Sequence, residues 1–379
     1  MNVYFDNAAT TPIDPRVIEE MLPFWQQHYG NPSSIHSMGR KTKSAIEQAR
    51  KKVADLLNTS PAEIFFTSGG TEADNTALTS TVETHQIENI ITSPLEHHAV
   101  LHTVEYLEKT GKIKSHLLDV DEKGNLDLAQ LAGILATHEK CLVSLMHGNN
   151  EIGNLLDIQA VGELCKEHNA LFHSDTVQTM GHFPHVLKEL PVDFIAGAAH
   201  KFHGPKGVGF LYINHQVKIN PLIQGGAQER NMRGGTENVT GIVGLAKALE
   251  LAYQSMADDQ VQVGKLKQYL IDQLGSKIPG VYFNGLSADM ENSLYTVLNV
   301  SFPAGDHNEM MLFNLDINGI CASGGSACSS GSSQGSHVLK AINSDPTRGA
   351  VRFSFSRFNT IEEVDYVVNK IAEIVPVSA

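Results

Sequence analysis

The sequence predicts an α/β fold with a mostly parallel sheet covered on both faces, followed by a smaller α+β domain. Two observations predict it. Short runs rich in β-branched and aromatic residues alternate with helical patterns up to about residue 255, which is typical of a parallel sheet. The chain has 379 residues, which is longer than a chain that usually folds around a single hydrophobic core, so two domains are expected.

The predicted elements follow one another along the chain. An amphipathic helix from Gly39 carries apolar side chains on one face and lysines and arginines on the other. Strands are predicted at EIFFT (63–67), NIITS (89–93), CLVSLM (141–146), ALFHS (170–174), VDFIA (192–196) and GVGFLYI (207–213). Beyond residue 255 we expect a long helix at 261–275, a strand near YTVLNVSF, a helix near 307–317, a strand at RFSFS and a final helix from residue 361.

Composition excludes several classes of protein. The 28 basic and 42 acidic residues give a formal net charge of -14, which argues against a nucleic-acid or anionic-membrane surface. The N-terminus lacks the basic and apolar regions of a signal peptide, and no run of 18 apolar residues occurs, so a cytoplasmic location is expected. The four cysteines form no CxxC pair, which argues against a disulfide framework or a structural zinc site.

Unusual polar residues follow the predicted strands, where ligands bind in open parallel sheets. Gly70 and Thr71 lie at a strand-to-helix turn, which favours a phosphate. Asp175 and Lys201 follow two further strands. An acid for a ring nitrogen and a lysine for an aldehyde are what pyridoxal phosphate requires. Each residue alone would more often be a helix cap or a surface group, and Lys206, in a Gly-Pro turn, is the less favoured alternative lysine.

Two further side chains suit the same cleft. His97 opens a helix after a strand, where an imidazole could lie on a cofactor ring and carry protons, with His98 facing elsewhere. Arg352 lies in a predicted strand, where burial requires an anion such as a substrate carboxylate. Arg357 is the structural alternative, expected in a surface ion pair.

The stretch SGGSACSSGSSQGS, residues 323–336, resembles a linker yet contains Cys328. Predicted structure flanks it on both sides, so we interpret it as a mobile loop, weakly ordered at about 324–334. Such a loop has enough contour length to move a thiol by on the order of 10 Å.

Ten motifs in this order resemble the NifS/IscS-type cysteine desulfurases from about residue 3 to residue 375. They are YFDNAATTP from Tyr4, GNPSS from Gly30, FTSGGTEADN from Phe66, EHHAV from Glu96, MHGNNEIG from Met146, DTVQ from Asp175, HKFHGPKGVG from His200, RGGTEN from Arg233, SGGSACSS from Ser323 and VRFSFSRF from Val351. The resemblance implies a fold type I pyridoxal 5′-phosphate enzyme with a seven-stranded sheet, acting as a homodimer. It implies a large cofactor-binding domain at 14–255 and a small domain formed by 1–13 and 256–379.

The resemblance also implies roles for individual residues. Cys328 matches the sulfur-accepting nucleophile and carries a persulfide, which could serve as a transient cluster ligand although no intrinsic metal is expected. Lys201 matches the lysine that binds the cofactor, His97 the stacking histidine and Asp175 the partner of the ring nitrogen. Asn150 and Gln178 match residues around the ring hydroxyl of the cofactor. Its phosphate is matched by Gly70, Thr71 and His200, and by Thr236 from the other protomer. Arg352 and Asn31 match residues that bind the substrate.

The implied function is conversion of L-cysteine to L-alanine with sulfur supplied to an acceptor protein such as an iron-sulfur scaffold. Three alternatives stay open: a selenocysteine lyase or another class V enzyme, a sulfur donor for thiolation pathways, and a non-catalytic binding module. Ala198 departs from the family pattern, since a serine that contacts the phosphate is common there.

Overall fold

A seven-stranded sheet lies at the centre of the computed structural model, which describes residues 1–324 and 335–375. The strands are β1 (Val3–Tyr4), β2 (Ile64–Thr67), β3 (Asn89–Thr92), β4 (Lys114–Leu117), β5 (Cys141–Ser144), β6 (Leu171–Asp175), β7 (Phe194–Ala198), β8 (Gly209–Ile213), β9 (Tyr282–Phe283), β10 (Val297–Ser301), β11 (Ile320–Cys321) and β12 (Ala350–Ser354). The helices are α1 (Pro15–Gln26), α2 (Ser37–Leu56), α3 (Gly70–His85), α4 (His98–Lys109), α5 (Leu128–Thr137), α6 (Ile158–Glu167), α7 (Val239–Lys277), α8 (Met311–Ile317), α9 (His337–Ala341) and α10 (Ile361–Ile374).

The large sheet has the strand order β2-β8-β7-β6-β5-β3-β4. Strand β8 runs antiparallel to both of its neighbours, and the other neighbouring pairs are parallel. The predicted fold class, including the number of strands in this sheet, is therefore confirmed. Because the parallel strands end at one edge of the sheet, the loops that follow them lie side by side there.

Strand β4 was missed by the sequence prediction. It lies at an edge of the sheet, where β3 is its single partner among the described strands, and its side chains are exposed or half-buried. Its sequence, KSHL, therefore lacks the apolar run that marks the central strands β3 and β5, which are buried throughout.

A second group of elements packs around a three-stranded antiparallel sheet with the order β12-β10-β9. Its hydrophobic core combines residues from the start of the chain, such as Phe5, with residues from α7, β10, β12 and α10. The N-terminal strand β1 joins this region by pairing in parallel with β11. The start of the chain therefore packs with its C-terminal third.

Helix α7 crosses the predicted domain boundary at residue 255 without interruption. The sequence predicted a helix only at 261–275, because the segment Gly241–Ala252 is buried on almost all sides and shows no amphipathic period. The division into domains at 14–255 and at 1–13 with 256–379 stays a prediction. Within the described residues, no helix is long and apolar enough to cross a membrane.

Both ends of the Ser/Gly stretch are attached to the protein. Ser323 exchanges backbone hydrogen bonds with Arg352, and its hydroxyl donates to Asp6 Oδ1 at 2.9 Å. On the other side, Ser336 caps α9 and its hydroxyl donates to Glu151. Residues 325–334 lie outside the described residues, and so does most of the loop whose weak order the sequence predicts.

Candidate active site

A cavity of about 220 Å³ opens at the carboxyl ends of the parallel strands. It collects nine of the residues that the sequence singled out, namely Gly70, Thr71, His97, Asn150, Asp175, Gln178, His200, Lys201 and Arg352. They come from elements that are far apart in the sequence, including the start of α3, the end of β6 and strand β12, so the fold is what brings them together. This arrangement agrees with the expectation that these polar groups lie in one cleft.

Lys201 ends a short turn of 3-10 helix directly after β7, which directs its amine into the cavity. Its Nζ donates to the backbone oxygens of Ala8 at 2.5 Å and Ala9 at 2.9 Å. Gln178 Nε2 donates to the same Ala8 oxygen at 3.0 Å. By contrast, Lys206 is exposed and does not line the cavity. This placement favours Lys201 over Lys206 as the reactive lysine.

Asp175 is the last residue of β6, and its carboxyl group is buried in the cavity wall. Its Oδ1 accepts the Val177 N–H at 2.8 Å. Burial raises the pKa of Asp175, because a buried carboxylate loses hydration, while this hydrogen bond and Lys201 act in the opposite direction. A cation bound in the cavity would stabilise the ionised carboxylate.

His97 caps the N-terminus of α4, which fixes the orientation of its ring. Its Nδ1 accepts the Ala99 N–H at 3.2 Å, so the neutral ring carries its proton on Nε2. Burial, together with the charge of Lys201, lowers the pKa of His97 to about 4. The imidazole is therefore neutral at physiological pH. The adjacent His98 lies outside this cavity and stacks on His102 with ring centroids 4.7 Å apart.

Gly70 and Thr71 begin α3, whose N-terminus has no side-chain cap among the described residues. The first-turn N–H groups and the helix dipole therefore favour an anion at this end of the cavity. A Cβ atom at Gly70 would lie 2.7 Å from Val177 Cγ2, so only glycine fits without displacing that side chain. His200 stands beside this turn, and its Nδ1 is 3.2 Å from Thr10 Oγ1.

Arg352 lies on β12 and is 1% exposed. Its Nη1 donates to Asn150 O at 2.9 Å and its Nη2 to Asp6 Oδ1 at 2.8 Å. Its Nε is buried and has no hydrogen-bond partner among the described residues. A substrate carboxylate in the cavity would provide the partner that Nε lacks.

Pyridoxal 5′-phosphate fits this set of groups. Asp175 supplies a buried carboxylate for a protonated ring nitrogen, and Lys201 supplies an amine for the aldehyde. The open N-terminus of α3 supplies N–H donors where a phosphate would lie, beside a glycine that leaves room for it. The buried carboxylate and the uncapped helix are each unfavourable without a ligand of this kind.

Comparisons with known proteins assign this arrangement to a family. The model of the aminotransferase class-V family matches residues 3–367. The cysteine desulfurase IscS of Clostridium botulinum strain Hall is 46% identical over 377 residues, which cover 98% of this chain and 94% of that protein. This chain belongs to the cysteine desulfurases of the class V aminotransferase family. Members of this family depend on pyridoxal phosphate.

Solved structures of similar proteins share the fold. A structure described as a NifS-like protein superposes with a TM-score of 0.91 at 42% identity and covers 99% of both chains. SspA in complex with cysteine superposes with a TM-score of 0.82 at 31% identity, over 94% of this chain and 100% of that one. The recognition of the family from the sequence motifs, and of its cofactor, is thereby confirmed.

Sequence reasoning missed the contribution of the N-terminal segment in this cysteine desulfurase. The backbone oxygens of Ala8 and Ala9 hold Lys201, and both residues line the cavity. Thr11 fastens the segment, because its backbone N–H and its hydroxyl both donate to His200 O, at 2.9 and 3.0 Å. Backbone groups leave no residue-type signal, so only the motif YFDNAATTP pointed to this segment.

Buried acids near the cavity were also missed. Asp74, from α3, lines the cavity and its Oδ1 lies 3.3 Å from His173 Nε2. Burial raises the pKa of Asp74, and the charge of Asp175 raises it further. Burial likewise raises the pKa of Glu96 to about 8, although Met146 N–H donates to its Oε1 at 3.0 Å. The local sequence around Asp74 does not indicate which residues of other elements lie beside it.

Three proposed site residues are not placed in the cavity. Asn31 is exposed and its Oδ1 accepts the Ser33 N–H at 2.9 Å. Thr236 is exposed and lines a separate small cavity with Ser68 and Arg233. Cys328 lies in 325–334, outside the described residues. The roles of these three residues stay predictions.

Arg357 and the other three cysteines do not line the cavity. Cys141 and Cys165 are buried, whereas Cys321 is exposed. Arg357 Nη1 lies 3.0 Å from Asp259 Oδ2, and its Nη2 lies 3.3 Å from Asp14 Oδ2. Arg357 therefore forms the predicted ion pairs, but the predicted surface location is wrong, because its side chain lies between these two carboxylates and is only 9% exposed.

Proposed function

We propose that this cysteine desulfurase transfers the sulfur of L-cysteine to Cys328 and releases L-alanine. The observation that supports the proposal is the convergence of Lys201, Asp175, His97 and Arg352 on one cavity whose groups fit the cofactor and an amino-acid carboxylate. Bound pyridoxal phosphate supplies an electron sink for the charge left when the substrate loses its Cα proton. The residues of the chain bind and orient the substrate and move its protons.

Arg352 binds the substrate carboxylate through its guanidinium group, and Asn150 and Asp6 hold that group in place. Lys201 is proposed to take the proton from Cα at Nζ and to return it to Cα of the product. The Cys328 thiolate attacks the substrate sulfur, so that an S–S bond forms while the Cβ–S bond breaks. The thiol proton of Cys328 ends on Cβ of alanine, and His97, neutral and fixed at the cavity wall, is the proposed carrier.

The attachment of the loop supports a role for Cys328. Ser323 bonds to Asp6, the partner of Arg352, and His337 Nε2 lies 2.9 Å from Glu96 O, next to His97. The segment that carries Cys328 therefore starts and ends beside the cavity. Ten residues, at up to about 3.3 Å each, have length enough to carry a thiol into the cavity from these ends.

Two copies of the chain are proposed to form a dimer. Ile18, Leu22 and Trp25 lie at helical spacing on α1 and are 40%, 40% and 59% exposed. Such an exposed apolar stripe suits a protein interface. Thr236 lies outside the cavity of its own chain, and in the proposed dimer it contacts the cofactor phosphate bound to the other copy. Asn31, also exposed, is proposed to contact substrate.

The proposed sulfur acceptor is a protein of the cytoplasm, such as an iron-sulfur scaffold. The acidic charge of -14 makes a nucleic-acid acceptor unfavourable. Selenocysteine lyase activity, the alternative that the sequence left open, is not favoured, because the similar proteins are named cysteine desulfurases.

The test measures alanine and sulfide release from L-cysteine. Wild type and Cys321→Ser, whose exposed thiol lies seven residues earlier in the sequence, are expected to release both products at equal rates. Cys328→Ser is expected to release neither unless a thiol is added. A Cys328→Ser protein that turns over cysteine as fast as wild type without added thiol would contradict the nucleophile role.

A further inference from the structure

A loop at 228–236 is joined by two ion pairs to α2 and to α3, the helix that begins with Gly70 and Thr71. The first is a buried pair between Glu229 and Arg50 of α2, whose side chains are 2% and 0% exposed. Arg50 Nη1 donates to Glu229 Oε2 at 2.7 Å, and Arg50 Nη2 donates to Oε1 at 2.9 Å. Two parallel hydrogen bonds fix both the distance and the orientation of the carboxylate.

This first pair also closes the edge of the large sheet. Strand β2 is an edge strand, so its outward backbone groups have no neighbouring strand among the described residues. Glu229 Oε2 accepts the Phe66 N–H at 2.8 Å, and Arg50 Nη1 donates to Ile64 O at 2.8 Å. Glu229 is therefore bound to the strand two residues before Ser68, where the phosphate turn begins.

The second pair joins the loop to the other side of that turn. Arg233 Nε lies 2.9 Å from Glu72 Oε1, and its Nη2 lies 3.3 Å from Oε2. Glu72 directly follows Thr71 in α3, and its Oε2 also accepts the Ser68 N–H at 2.9 Å. The loop is therefore held both to the strand before the turn and to the helix after it.

The backbone of the loop adopts a conformation that its own residues disfavour. Glu229, Arg230 and Asn231 have φ angles of 43°, 56° and 66°, in the left-handed region. Non-glycine residues persist there only where surrounding contacts impose it, and such residues cluster at functional sites. The ion pairs supply those contacts, and three residues beyond Arg233 the chain reaches the exposed Thr236.

We propose that Glu229 and Arg233 are positioning residues that set the Thr236 hydroxyl for the phosphate of the cofactor bound to a second copy of this chain. The inference rests on the proposed function, in which two copies assemble and Thr236 contacts that phosphate. The turn that binds the phosphate in one copy thus also holds the residue that the other copy needs.

The test is a double-mutant cycle on cofactor affinity. Holoenzyme dimers of wild type, Arg233→Gln, Thr236→Ala and the double variant are dialysed against graded pyridoxal phosphate, and the retained cofactor is measured by its visible absorbance. Loss of one hydrogen bond to the phosphate should weaken binding about tenfold in Thr236→Ala. Arg233→Gln should weaken it about three- to tenfold and have no further effect in the double variant.

Two controls separate positioning from general damage. Pyridoxal, which lacks the phosphate, should bind wild type and Arg233→Gln with equal affinity. Arg230→Gln removes an exposed ion pair of the same loop, with Glu47 at 2.8 Å, and should leave affinity for pyridoxal phosphate within about twofold. Glu229→Gln should reproduce the loss seen in Arg233→Gln.

Several results would overturn the inference. Additive losses in the double variant would mean that Arg233 does not act through Thr236. Equal weakening of pyridoxal and pyridoxal phosphate, or an Arg233→Gln protein that sediments as a monomer, would assign the ion pairs to general stability or to assembly. A Thr236→Ala dimer with unchanged affinity for pyridoxal phosphate would instead remove the proposed role of Thr236 itself.

Discussion

Replacement of Asp175 by asparagine should have opposite effects on the protein with and without its cofactor. The carboxyl group is buried and burial raises its pKa, so without the cofactor its charge is unfavourable. Asparagine keeps the oxygen that accepts the Val177 N–H at 2.8 Å and removes only the charge. Without cofactor, Asp175→Asn should therefore have a melting temperature equal to or above that of wild type.

With the cofactor bound, the same change removes the anion that is proposed to face the ring nitrogen. Breaking a buried charge pair costs about 3 kcal/mol, which corresponds to roughly a 100-fold increase in the dissociation constant of pyridoxal phosphate. Thermal unfolding with and without added cofactor measures both effects, because a ligand that binds the folded state raises its melting temperature.

Two results would refute this reasoning. If Asp175→Asn lowered the melting temperature of the cofactor-free protein as much as that of the loaded protein, Asp175 would be a structural residue. If cofactor affinity did not change, Asp175 would not face the ring nitrogen.

Three further predictions follow from individual contacts. Arg352→Lys keeps the positive charge but loses the bidentate contact with the substrate carboxylate. KM for cysteine should therefore increase about tenfold in steady-state kinetics, with a smaller change in kcat. An unchanged KM would contradict carboxylate binding by Arg352. Gly70→Ala should weaken cofactor binding, because the added Cβ would lie 2.7 Å from Val177 Cγ2. Val177→Ala should restore the affinity for the cofactor in the double variant. Failure of that rescue would contradict a steric cause. Burial lowers the pKa of Lys267 from 10.5 to about 7. Between pH 7 and pH 10.5 the unfolded state therefore binds more protons than the folded state. The free energy of unfolding should increase with pH in that window, by up to about 1.4 kcal/mol per pH unit. Lys267→Met should flatten this slope in urea titrations at several pH values, and an unchanged slope would contradict the shift.

The sequence predicted those parts of the molecule that residue type and local spacing determine. The central strands are apolar runs with polar residues at their ends, and this pattern was enough to place Asp175, Lys201 and His97 at one edge of the sheet. Strand β4 and the first half of α7 escaped prediction, because an exposed edge strand and a helix buried all round both lack a periodic signal.

Contacts between distant elements could not be predicted from the sequence. The oxygens of Ala8 and Ala9 that hold Lys201 belong to the backbone, and any residue type supplies them. Glu229 reaches Arg50 across 179 positions of sequence, and neither residue carries a local mark of its partner. Such pairs become visible only when the fold brings them together.

The most direct test of the account is the site of the persulfide after a single turnover. Wild-type holoenzyme is given one equivalent of L-cysteine labelled with heavy sulfur, alkylated, digested and analysed by mass spectrometry. We expect the labelled sulfur on the peptide that contains Cys328, and no label there in Lys201→Ala, which lacks the amine that is proposed to hold the cofactor. Label on Cys321 or on no cysteine, with alanine formed at the normal rate, would contradict the account.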